Sequence, residues 1–185
     1  MVALNTHNPG DNLMQPIARR SILFGVTALS ALSAGAAFAV NALPDARFVG
    51  FAQEFNDFEI ASGRLALARS TNENVRGFAA RMVADQTEAA QFLSKARQEA
   101  GVSYAPDPSN TPGWTATLQR LNVLEGVEFD TAYANAQLAA HIDANAQYGA
   151  YSQDGGNGAL RRYAQGQLPK IQQNLTGARQ LAGGR

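Results

Sequence analysis

The chain has 185 residues, with 15 basic and 15 acidic side chains and no cysteine. Without net charge or any run of like charge, it lacks the electrostatic footprint of a nucleic-acid binder. The missing cysteines exclude disulfides and thiol redox chemistry, so packing alone must hold the fold.

The N-terminus reads as an export leader, residues 1–39. A polar stretch that includes His7 ends in Arg19-Arg20, residues 21–40 carry no charge, and Ala37-Phe38-Ala39 is the small-x-small pattern that signal peptidase accepts. The arginine pair followed by Ser21, Ile22 and Leu23 resembles a twin-arginine signal. Ala18 stands where that signal usually has a polar residue, so the general secretory route stays open. An uncleaved leader would instead tether the chain to the inner membrane, because roughly 20 apolar residues span a bilayer. Its Ala, Ser, Gly and Thr content makes that hold weak. Cleavage after Ala39 removes Asp11, Arg19 and Arg20, leaving 13 basic against 14 acidic side chains and enough chain for one domain.

After a linker over 40–44, a first helix is expected over 45–69. Phe48, Ala52, Phe55, Ser62, Ala66 and Arg69 fall on one stripe, widened by Phe51, Phe58 and Leu65, and Glu59 fills its gap. Ser70 and Glu73 have the spacing of a capping box for a second helix that ends before Gly101. Val75, Ala79, Met82, Ala89, Leu93, Ala96 and Ala100 line that helix, and Gln86 takes the missing step. The short connection makes the pair an antiparallel hairpin.

Residues 101–113, with Pro106, Pro108, Pro112 and Gly113, form a loop, and Thr111-Pro112 reads as a helix start. A short helix carrying Trp114, Leu118 and Leu121 breaks near Gly126, with Trp114 as its anchor. The third long helix spans about 127–152 and shows Tyr133, Gln137, His141, Ala144, Tyr148 and Tyr151 on one face. The three tyrosines read as core edge rather than a binding cage. A glycine-rich turn at 154–158 leads to the fourth long helix, with Leu160, Ala164, Gln167, Ile171, Asn174, Ala178 and Leu181 in line and a kink at Pro169. Residues 183–185 are a frayed tail. Asp57, Asp85 and Glu88 read as solvated, and Ser62 and Thr87 lack partners for a catalytic triad.

The pattern predicts an all-α, antiparallel four-helix bundle over 45–182, with the short extra helix in its crossover. Glu59, Gln86, His141 and Asn174, one per long helix, would then form an interior polar network.

Four segments carry a family resemblance in register: EIASGRLA (59–66), VRGFAARMVADQT (75–87), FDTAYANAQLAAH (129–141) and LPKIQQNL (168–175). They resemble the exported bacterial domain-of-unknown-function family four-one-four-two. Its members are often labelled membrane or outer-membrane proteins, and its fold is grouped with the ferritin-like bundles. The resemblance implies Glu at 59 and His at 141, both present. It also implies His where this chain has Gln86 and Asn174.

A carboxylate-bridged di-iron centre needs about four carboxylates and two histidines, with Glu-x-x-His pairs, and this chain has no such pair. Amides are poor transition-metal ligands. The expectation is therefore a non-catalytic binding or structural protein of the periplasm or cell envelope, without a cofactor, recognising an envelope protein or ligand. The alternatives are a ferritin-like metal or redox protein with Glu59 and His141 as remaining ligands, and a membrane-tethered envelope sensor.

Overall fold

The computed structural model describes residues 40–104 and 113–183. The export-leader residues Arg19, Arg20, Ala37 and Ala39, and Thr111-Pro112, lie outside that range. The described residues hold five helices: α1 (Asp45–Arg69), α2 (Glu73–Ala100), α3 (Trp114–Leu121), α4 (Gly126–Asp154) and α5 (Gly158–Gly183). The expected helices therefore all form, and α5 runs one residue into the expected tail, through Gly183. Among the described residues there is no strand, and no helix is long and apolar enough to cross a membrane.

The helix ends follow local chemistry, with one correction. The cap of α2 is Asn72, whose Oδ1 accepts from Asn74 and Val75 N–H at 2.9 and 3.4 Å. Ser70 instead ends α1: its N–H donates to the Ala66 carbonyl, and its hydroxyl accepts from Asn72 N–H. The Ser70–Glu73 spacing matched a capping box, but Asn72 is adjacent to the first turn and a shorter reach wins. At the far end of α2, Gly101 adopts φ 66°, and Val102 N–H closes back onto the Arg97 carbonyl at 3.0 Å. Only glycine takes that left-handed geometry without strain. Asn157 caps α5 in the same way as Asn72, through Ala159 and Leu160 N–H. α5 continues through Pro169.

The long helices neighbour one another in a circuit: α1 beside α2, α2 beside α5, α5 beside α4, and α4 beside α1. Residues 70–72 and 155–157 are too few to do more than reverse direction, so each hairpin is antiparallel. α3 lies against α1 and α4. Trp114 fixes it there, packing on Phe51, Phe55 and Phe58 with ring centroids 5.4–5.8 Å apart.

The apolar core divides into two clusters. One joins the N-terminal half of α1 to the C-terminal half of α4, with Phe48, Phe55, Tyr148, Tyr151, Leu160 and Ile171. The other lies towards the opposite ends, with Ala66, Phe78, Met82, Phe129, Tyr133 and Ala178. Each fully buried large side chain among them contributes roughly 1.5–3 kcal/mol relative to exposure. The three tyrosines read as core edge are more deeply placed: Tyr133, Tyr148 and Tyr151 are almost wholly buried. Tyr151 stacks on Phe48 at 3.8 Å and donates to Asp45, tying the end of α4 to the start of α1.

Candidate functional site

Along every long helix the change from one cluster to the other passes through a polar residue. Glu59 and Ser62 stand between Phe58 and Ala66 on α1, and Gln86 between Met82 and Leu93 on α2. Gln137 lies between Tyr133 and Ala140 on α4, with His141 next, and Asn174 lies between Ile171 and Ala178 on α5. Glu59, Ser62, Gln137 and His141 are 0 % exposed, Gln86 4 % and Asn174 2 %. A polar layer thus separates two apolar ones.

The layer has two parts. On the α1–α4 side, Glu59 Oε1 lies 3.8 Å from His141 Nδ1. That nitrogen is 2.9 Å from the Gln137 carbonyl oxygen, one turn earlier in α4. A carbonyl only accepts, so Nδ1 carries the ring proton and Nε2 keeps the lone pair. Gln137 Nε2 donates to Ser62 Oγ at 3.0 Å, and Ser62 donates to the Glu59 backbone carbonyl at 3.4 Å. On the α2–α5 side, Asn174 Nδ2 donates to Asp85 Oδ2 at 3.2 Å. Asp85 also pairs with Lys170 at 3.4 Å, so its reading as a merely solvated residue is corrected. Asp57 and Glu88 are exposed as expected.

Of the four predicted residues, then, the fold brings Glu59 and His141 together. Asn174 turns to Asp85, and no hydrogen bond joins Gln86 to the other three. Ser62, Gln137 and Tyr133 complete the layer beside Glu59. Their helical spacing was visible: Ser62 follows Glu59 by three residues, and Gln137 precedes His141 by four.

Burial sets the charge states. Desolvation holds the Glu59 carboxyl well above its ordinary range, and Gln137 offsets only part of this. Desolvation lowers the His141 imidazole to about 4, with its bond to the Gln137 carbonyl opposing. Burial thus favours the protonated form of Glu59, and at neutral pH the imidazole is uncharged, so the 3.8 Å approach is not an ion pair. Tyr133 is likewise held protonated, by burial and then by the neighbouring Glu59. Phe55 and Phe78 close over His141 with ring centroids 5.4 and 6.0 Å away.

Both Glu59 oxygens, Gln137 Oε1, His141 Nε2 and the Tyr133 hydroxyl have no hydrogen-bond partner among the described residues. The donor set does not fit a carboxylate-bridged metal pair. It offers one carboxyl and one imidazole, and among the described residues no group of three or more His, Cys, Asp or Glu converges. A separate groove of about 420 Å³ opens between the N-terminal ends of α2 and α4 and the C-terminal end of α5, and none of Glu59, Gln86, His141 or Asn174 lines it.

No curated protein and no solved structure matches the chain. A family model does, over residues 30–181, which takes in every element of the polar layer. The chain belongs to the family described as a domain of unknown function, DUF4142.

Proposed function

We propose that this is a non-catalytic binding or structural protein of the cell envelope, built as an antiparallel four-helix bundle of ferritin-like type. The carrying observation is the full burial of Glu59 and an uncharged His141 between two apolar clusters. A reactive centre needs a path for substrate and a group that changes charge near working pH. Here both titrating groups are fully buried, Phe55 and Phe78 pack on the imidazole, and a pKa of about 4 keeps that ring uncharged at neutral pH. Such a layer fixes helix register, since slipping one helix by a turn would bring polar atoms against apolar ones. Recognition is then left to the helix faces and the groove.

Export is supported by Arg19-Arg20, the uncharged stretch after it and Ala37-Phe38-Ala39. Replacing the arginine pair with lysines abolishes export on the twin-arginine route and leaves it unchanged on the general one. The mass of the mature N-terminus separates a periplasmic protein from an anchored sensor.

Metal analysis of protein purified from the envelope tests the non-catalytic reading. The expected result is less than stoichiometric iron, manganese and zinc. A stoichiometric metal lost on His141→Ala would overturn it in favour of a ferritin-like metal protein.

A further inference from the structure

The groove at the N-terminal end of α2 presents two complementary charges that have no partner among the described residues. Arg81 is exposed, and its guanidinium lies over the Phe78 ring, 5.4 Å from the centroid. Among the described residues no carboxylate pairs with it. On α4, Asp130 holds Oδ1 away from solvent with no hydrogen-bond donor among the described residues. Val75, Phe78, Ala134 and Leu181 also line the groove and give it an apolar floor. Gly177 of α5 keeps that floor open: a Cβ there would stand 3.2 Å from Phe78 Cε2 and 3.5 Å from Arg81 Nη2.

We propose that this groove binds a small zwitterion with an apolar body, of amino-acid to dipeptide size, with Arg81 holding its carboxylate and Asp130 its ammonium. The volume, about 420 Å³, is at the small end of ligand sites, which suits such a molecule. A simple anion would satisfy Arg81 but repel Asp130, and a simple cation would do the reverse. A neutral apolar ligand would leave a shielded carboxylate oxygen without a donor. The end of a long polypeptide would bring a carboxylate but no nearby ammonium. Phe78 serves both regions, since its ring forms the groove wall on one side and covers His141 on the other.

This inference deepens the reading of the protein as a binding module and rests on it. Its test uses neither Glu59 nor metal content, so the two fail separately. Calorimetric titration of the full chain with L-leucine and L-leucyl-L-leucine should show saturable binding of at least one below about 10 mM. N-acetyl-L-leucine, which lacks the ammonium, and L-leucinamide, which lacks the carboxylate, should each bind about tenfold more weakly, the range of one charge-assisted contact. Arg81→Gln should erase the preference over L-leucinamide, and Asp130→Asn the preference over N-acetyl-L-leucine. Absence of binding by both zwitterions, N-acetyl-L-leucine binding as tightly as L-leucine, or preferences that survive both substitutions would overturn it.

Discussion

Glu59 Oε1 approaches His141 Nδ1 to 3.8 Å, yet the imidazole proton is already engaged by the Gln137 carbonyl at 2.9 Å. The acid and the base are neighbours that do not exchange charge. Burial acts on them in opposite senses, raising one pKa and lowering the other, and in both it favours the uncharged form.

That opposition has a signature in the pH dependence of stability. The folded pKa of Glu59 is raised, so its contribution is present below the unfolded value and is lost as pH rises towards the folded one. The folded pKa of His141 is lowered, so its contribution is lost as pH falls from about 6.5 towards about 4. Between about 4.5 and 6.5 the two slopes oppose each other. Glu59→Gln removes the Glu59 contribution and leaves that of His141. Urea unfolding from about pH 4.5 upwards should therefore show the native chain losing stability with rising pH relative to Glu59→Gln.

Substitutions at Glu59 should separate packing from polarity. Glu59→Leu fills the same space without two oxygens in need of partners, so the fold is kept and stability is unchanged or raised. Glu59→Ala leaves a cavity between the clusters, and His141→Ala removes the ring held by Phe55 and Phe78. Each should cost about 2–4 kcal/mol in chemical denaturation. A flat response to both alanine changes would contradict the account.

The start of α2 offers a local test. Asn72→Ala should cost about 1 kcal/mol, because Asn74 and Val75 N–H lose their acceptor. Ser70→Ala removes a hydroxyl that serves only the turn and should cost less.

Close approach of α1 to α2 depends on Gly63. A Cβ there would lie 2.8 Å from Val83 Cγ2 and 3.1 Å from the Ala79 carbonyl oxygen. One contact is a stiff β-branched side chain and the other is backbone, so neither yields easily. Gly63→Ala should destabilise by about 1–3 kcal/mol, read from the urea midpoint.

Helical periodicity made the elements and most of the buried stripe legible, because a helix packed on one side writes its contacts every three or four residues. The same periodicity exposed Glu59, Gln86, His141 and Asn174 as polar breaks in that stripe. It could not say which of them meet. Whether Asn174 turns to Glu59 or to Asp85 depends on helix rotation of a few tens of degrees, which residue spacing does not fix. Ser62 and Gln137 fall on the same stripes, but their hydrogen bond needs the α1–α4 contact, which spacing along one helix does not give. The groove of Arg81 and Asp130 was invisible for a plainer reason: its walls come from three helices whose ends meet only in the folded chain.

The most direct test of the sealed polar layer is the ¹⁵N NMR titration of the His141 imidazole. The ring should be neutral and protonated at Nδ1 from pH 8 downwards, charging only near pH 4. An imidazolium at pH 7, or a ring protonated at Nε2, would contradict it.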